Sequence, residues 1–517
     1  MIKQLLQNQS GCFIGILLVF LLLTVTACSS SDDGGAYPFD PSKEVVITKV
    51  SPEEVSALEE FIIYGENFGT DPSLVTVTMG GKKMVVVNVT SKMIYGFVPS
   101  GAFSGDLVVT VSDGNGNEKQ AVAPGIYTYL RNLVVGTLCG KTNDTGTQGT
   151  LYGPFATCRG FSEFGVMKWD PQQSGILYLA YDGSARGIEV LDFNKNEYYQ
   201  LKPSSSFSTD RLRDIDFTTD GKYMLVAVDV ASNVAHDAPT VYLLKRGTDG
   251  TFRNATPQIV SRFSNCNTVA VHPVTGDVYF NGFTNGEVFR MNIDNFIALL
   301  DYKGDPDDED APKWNGRLGG MTDSKTGLPI PGTGFEEIFQ IRDNNNEFHI
   351  RIHPSGKYAY LVVINKNYIL RTDFNEKEGK FMQPYVVAGS FSEGGAWVDA
   401  AGTQARMNHP YDGVFVKNPE YVAQGKEDVY DFYYTDCLNF CVRKMTPEGI
   451  VSTYAGRGKA TNGNIWGTED GDIRATARFR DVTGIEYDEK TGYFYVLDAY
   501  NARIRSIGRE KEENVEQ

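Results

Sequence analysis

The 517-residue chain is 41% hydrophobic and 12% aromatic, is rich in Gly (54), Tyr (28) and Phe (30), and carries a formal net charge of -17. Its length allows about two to three domains with separate cores, and Gly with aromatics at this level suits turn-rich β-structure. The acidic balance, with a pI near 4.9, speaks against a nucleic-acid partner, because a phosphate backbone calls for a basic footprint.

The first residues read as a targeting segment, to be set apart from the folded chain. Lys3 gives a positive start, residues 11–25 are mostly apolar, and Val25-Thr26-Ala27-Cys28 resembles the lipobox of bacterial lipoproteins. In that family the Cys becomes the acylated first residue of the mature chain. The resemblance implies a signal peptide over 1–27, lipidation at Cys28 and a polar tether over 28–43; a plain signal peptide or single membrane anchor is the alternative. Acidic residues just after Cys28 resemble export signals that place lipoproteins on the outer face of the outer membrane in glycan-foraging Gram-negative anaerobes.

From 44 to 130 an all-β module is legible. Ile47–Pro52, Phe61–Gly69 and Val75–Gly81 read as short strands between turns, and Ile94–Pro99, Gly105–Ser112 and Tyr127–Tyr129 continue the pattern. The Pro after the first strand and the Gly65-Glu66-Asn67-Phe68-Gly69 segment resemble an IPT/TIG domain, an immunoglobulin-like sandwich. In glycan-capture lipoproteins such modules act as spacers. Asn67 and the glycines are expected to shape a turn.

Residues 131–509 read as a repeat array. The clearest unit is Thr483–Tyr487, Tyr493–Asp498 and Asn501–Ile507, each run alternating apolar with polar positions. A second copy stands at Tyr411–Val416, Asp431–Asp436 and Asn439–Lys444. The Tyr-x-Tyr-Val-x-Asp strand followed by Asn-x-x-Ile-Arg resembles an NHL repeat, the blade of a family of β-propellers. Weaker copies at Gly165–Phe193, Leu212–Leu244, Thr268–Asn292 and Phe348–Asp373 bring the expectation to roughly six blades, with about five or seven also possible. No outermost strand follows Ile507, whereas Asn132–Gly140 looks like the missing one. It is expected to complete the last blade and tie the ends together. The fold class is therefore all-β, an IPT/TIG sandwich followed by a roughly six-bladed NHL-type propeller, with a charged tail over 510–517.

Of seven Cys, five remain once Cys12 and Cys28 are set aside, which leaves an odd thiol. Cys437 with Cys441 and Cys139 with Cys158 are candidate bridges. No Cys-x-x-Cys pair or nearby His supports zinc, and no metal or cofactor is expected. The run Asp305–Asp310 lacks the central Gly and terminal Glu of a calcium loop and reads as a solvated acidic loop.

Trp314, Trp397 and Trp466 stand outside predicted strands, in Gly-rich or polar surroundings. An exposed ring can stack on the apolar face of a sugar while neighbouring amides and carboxylates bond its hydroxyls; plugging loops onto the blades is the other reading. Asn285, Asn365, Asn439 and Asn501 are expected to form turns. His349 and His353 are read as structural, His353-Pro354 being matched by His272-Pro273, while His236 and His409, beside Asp237 and Asp412, have no second ligand at fixed spacing. No catalytic residue is assigned.

The architecture resembles accessory lipoproteins of outer-membrane glycan-uptake systems. That implies a cell-surface protein whose partners are a glycan, transporter components and, through the lipid anchor, the membrane. Two rivals stay open. One is an enzyme, a polysaccharide lyase or hydrolase; a lyase on an acidic sugar would want a basic cleft with a Tyr or His base, for which Arg342, Arg351, Arg406 and Arg478 are the candidate charges. A protein-interaction scaffold would show a flat apolar patch.

Overall fold

The computed structural model describes residues 38–57, 59–99, 101–140, 151–159, 163–183, 186–207, 209, 211–230, 237–305, 308, 310–341, 347–458 and 464–510; Cys28, His236 and Arg342 lie outside them. Two compact units divide the chain, residues 1–131 with 511–517, and residues 132–510. Among the described residues no helix is long and apolar enough to cross a membrane.

The first unit is a sandwich of two four-stranded sheets. One has the order Val46–Ser51, Glu60–Glu66, Met93–Phe97, Val85–Thr90; the other Lys82–Lys83, Val75–Met79, Leu107–Ser112, Glu118–Val122. Alternation puts Val75, Val77 and Met79 inside and leaves Thr76 and Thr78 half-exposed, as the period of a strand requires. Both sheets close over one core that includes Phe61, Ile63, Phe68, Val77, Ile94 and Val109. Asn67 takes a left-handed backbone (φ 64°), and its side chain clamps the segment before the first strand: Oδ1 accepts from Asp40 N (2.9 Å) and Nδ2 donates to Asp40 O and Lys43 O (2.9 and 3.0 Å).

The second unit is a propeller of six blades. From the channel outwards, blade 1 is Gly165–Trp169, Ile176–Tyr181, Ile188–Asp192, Glu197–Lys202, and blade 2 is Arg211–Phe217, Tyr223–Asp229, Ala238–Lys245, Gln258–Phe263. Blade 3 is Val269–Val271, Val278–Gly282, Glu287–Met291, Glu336–Gln340; blade 4 is Phe348–Ile352, Tyr358–Val363, Tyr368–Asn375, Tyr385–Gly389. Blade 5 is Pro410–Lys417, Tyr430–Asp436, Cys441–Met445, Ile450–Gly456, and blade 6 is Val482–Asp488, Tyr493–Asp498, Arg503–Arg509.

The fourth strand of blade 6 is Leu133–Gly140, antiparallel to Arg503–Arg509 with Val135 opposite Ile507. The strand that opens the unit therefore closes the ring and removes an open edge. Innermost strands of successive blades touch all the way round, the last against the first. At that junction a Cβ on Gly484 would lie 3.0 Å from Gly165 O and Val166 Cα, so glycine lets the two strands approach. The second strands of blades 1, 2 and 4 are buried along their whole length. A strand covered on both faces reads as a continuous apolar run rather than an alternation.

Antiparallel pairing fixes two ends. Each innermost strand starts at one face, here the loop face, which also carries the connections between second and third strands. It ends at the opposite face, the turn face, which carries the tight turns into the second strand.

Candidate ligand-binding faces of the propeller

Blades 5 and 6 anchor their loop-face connections with one repeated device. At the end of the second strand Asp436 and Asp498 each take Nδ2 of the next-but-two Asn (Asn439 and Asn501, both 2.8 Å) and the guanidinium of Arg443 and Arg505 (both 2.8 Å). The second oxygen accepts the backbone N of Asn408 or Arg480, both at 2.7 Å, where the chain enters the innermost strand. Each Arg then reaches a loop carboxylate, Asp399 at 2.8 Å or Asp470 at 2.5 Å. The Asn side chains thus hold turns and loops, by bonds to Ala396 O and Gly467 O (2.8 and 2.7 Å).

These anchors hold up an aromatic loop face. Phe164, Phe391, Trp466 and Tyr500 are exposed there by 37%, 64%, 41% and 52%. The Arg480 guanidinium lies over both Trp466 (4.4 Å) and Tyr500 (3.4 Å), holding the rings in a stack. Trp397 sits on the shoulder of blade 5, its Nε1 donating to Thr453 Oγ1 (2.9 Å) and the Arg457 guanidinium 3.9 Å above its ring. Trp314 does not join them. It belongs to the insertion between the third and fourth strands of blade 3, where its Nε1 donates to Val260 O (2.8 Å) and its ring packs on Phe296. Arg262 N donates to Gly316 O in the same segment (2.9 Å), so the insertion covers the outer edge of blade 2.

Below the loop face the channel is crossed by ion pairs. Arg211 meets Asp182 and Asp229 (2.7 and 2.8 Å), and buried Arg213 meets Asp182 (3.3 Å) and Glu347 of blade 4. Deeper, Arg351 bridges Asp214 of blade 2 and Asp412 of blade 5 (2.8 and 2.7 Å). At the turn face a cavity of about 410 Å³ opens, lined by Lys168, Trp169, Asp216, Arg351, Phe415 and Glu486 among others. Lys168 Nζ lies 3.5 Å from Asp216 Oδ1. Burial pushes the Glu486 carboxyl up to about 7 despite the nearby Lys168 ammonium.

Of the arginines named from the sequence, the three described ones do not converge. Arg351 is in the channel, Arg406 pairs with Glu393, and Arg478 binds Asn464 O and Glu469 (2.9 and 3.0 Å). Asp412 serves Arg351 rather than His409, whose Nδ1–H donates to Asn408 Oδ1 (3.3 Å). His349 is buried and donates to Tyr411 O (2.7 Å). His353 caps its turn, its Nδ1 accepting from Ser355 N (3.1 Å). Among the described residues no three His, Cys, Asp or Glu converge as metal ligands. The five described cysteines are buried free thiols, and Cys139 and Cys158 are hydrogen-bonded to each other.

Sequence reasoning missed Tyr500, Arg480, Phe391, Phe164, Lys168, Asp216 and Glu486. For Tyr500 a signal existed. It occupies the repeat position of Leu438, and both lie between the anchoring Asp and Asn, pointing outwards.

Residues 45–129 match the IPT/TIG domain family. No curated protein matches the chain. Among solved structures, a Bacteroides thetaiotaomicron protein described as a candidate phosphatase is 40% identical (TM-score 0.75), the alignment covering 92% of this chain and 99% of that one. An auxiliary nutrient binding protein from Bacteroides thetaiotaomicron is 34% identical (TM-score 0.72) and one from Bacteroides ovatus 32% (TM-score 0.67), each alignment covering 92% of this chain and 100% of that one. With this identity over their whole length, the chain belongs to the same family as these Bacteroides proteins.

Proposed function

We propose that the protein is a cell-surface accessory lipoprotein that captures a polysaccharide or oligosaccharide on its loop face for an outer-membrane uptake system. The observation that carries this reading is the pair of exposed rings Trp466 and Tyr500 joined through Arg480 on a face that also exposes Phe164 and Phe391. Flat apolar rings beside guanidinium donors suit a sugar, whose ring has an apolar face and a hydroxylated edge. The nutrient-binding descriptions of two relatives support it. Cys28 is the lipid anchor in this reading, and transporter components are the partners that receive the glycan.

The relative described as a candidate phosphatase raises phosphoryl chemistry instead. A thiolate nucleophile needs access as well as a depressed pKa, and the five described cysteines are buried, with Cys266 also pushed up to about 12. Affinity electrophoresis of the protein against a polysaccharide panel, with the products of each incubation analysed, tests capture against catalysis. Retardation without new products, lost in Trp466→Ala/Tyr500→Ala, supports capture. New oligosaccharides make the protein an enzyme, and no retardation on any glycan removes the reading.

A further inference from the structure

The turn-face cavity plays no part in the reading above, yet it has the features of a built site. All six blades contribute to its wall. Its rim is rigid: the residue after the innermost strand caps the next turn in three blades. Gln172 N and Gln173 N donate to Asp170 Oδ1 (2.7 and 2.9 Å), Val274 N and Thr275 N to His272 Nδ1 (3.3 and 3.1 Å), and Ser355 N to His353 Nδ1 (3.1 Å). A proline follows each cap, and Pro171, Pro273 and Pro354 stand exposed around the mouth. Their fixed φ leaves little to order when a ligand arrives.

The charges inside select the ligand class. Lys168 and Arg351 are the cations; Asp214, Asp216 and Asp412 hold them by ion pairs. Glu486 is the second carboxyl of the lining and faces Lys168 and Arg351, so the wall carries as many carboxyls as cations and a charged ligand of either sign gains little over a neutral one. A carboxyl poised near neutrality donates when protonated and accepts when ionised, and a hydroxyl does both. Trp169 and Phe415 supply flat apolar wall beside these groups.

We propose that this cavity is a second ligand site, taking a neutral, hydroxyl-rich small molecule whose hydroxyls bond Glu486, Lys168 and Asp216. Its volume of about 410 Å³ falls within the range of small-molecule pockets and suits roughly one or two sugar rings. The site lies at the opposite end of the channel from the loop face and does not depend on the glycan-capture reading.

The test is saturation-transfer NMR on the full-length protein with glucose, galactose, mannose and N-acetylglucosamine, and inorganic phosphate as the anionic probe, binding being followed by titration. Thr219 is exposed and lines the mouth, so Thr219→Trp fills the opening without removing a core contact. Glu486→Gln keeps the shape and removes the ionisable carboxyl. A sugar signal in wild type, retained in Trp466→Ala/Tyr500→Ala and weakened at least about tenfold by Thr219→Trp, is the expected result, with a smaller loss in Glu486→Gln. Three results overturn the proposal: no sugar signal in wild type, a signal indifferent to both Thr219→Trp and Glu486→Gln, or binding of phosphate alone. Loss of polysaccharide retention in the loop-face variant while the monosaccharide signal persists separates the two sites.

Discussion

Blades 5 and 6 and the rest of the propeller meet the same demand in different ways. Every second strand ends at the loop face, where a group must receive the backbone of the connection entering the innermost strand. Blades 5 and 6 use Asp436 and Asp498, each locked by its Asn and Arg. Blade 3 uses Asn281, whose Oδ1 accepts Asn267 N and Thr268 N at 2.7 and 3.2 Å. Blade 2 spends Asp229 on Arg211 and Arg213 instead, as part of the network across the channel. The most conspicuous repeat residues are thus scaffold, and the surfaces they expose are where blades differ. A strong repeat marks what each blade needs to fold, so ligand contacts are sought in positions that break it.

The sharpest way to break this comparison is Arg505→Ala. It leaves Asp498, fully buried, without its guanidinium partner and frees Asp470, and removing one partner of a buried pair costs about 3–5 kcal/mol. Chemical denaturation should show that loss; a change under about 1 kcal/mol would mean the repeat network is dispensable.

Trp314→Ala should cost about 2–3 kcal/mol, because a packed ring and a hydrogen bond over the blade 2 edge are lost together. Polysaccharide affinity should stay unchanged. A weakened affinity at wild-type stability would return Trp314 to the ligand surface.

Glu486→Gln isolates the turn face. In the folded protein this carboxyl is raised from its ordinary 4.5 to about 7. Stability from a raised carboxyl is fully present below the ordinary value and is lost as pH rises through the folded one. Wild type and variant should therefore be close in stability in acid, and the variant should gain about 3 kcal/mol relative to wild type as pH rises from the lower value through the upper one. Thermal melts across this window decide it; a constant difference would place Glu486 in contact with solvent.

The smallest effect on the fold belongs to Trp466→Ala with Tyr500→Ala. Both rings are exposed, so stability should change by less than about 0.5 kcal/mol each. Loss of stacking should nevertheless weaken glycan binding by about 1 kcal/mol per ring, which titration against the retarding polysaccharide measures.

Sequence alone determined the propeller's strands and its closure. Tyr493–Asp498 and Asn501–Ile507 alternate, the buried second strands read as apolar runs, and the lack of a fourth strand after Ile507 pointed to Asn132–Gly140. All of these are local patterns or counts of pairing partners, and backbone hydrogen bonds must be satisfied wherever strands form. The tertiary structure alone decided which long-range neighbours meet. Three loop tryptophans look alike in sequence, yet one covers a sheet edge, one braces a shoulder and one stands exposed beside Arg480. Likewise Lys168, Asp216, Arg351 and Glu486 come from four blades, separated by up to 318 residues of chain (486 − 168). No local spacing encodes their meeting, because it follows from closing the ring, and that closure makes both the charged cavity and the aromatic face.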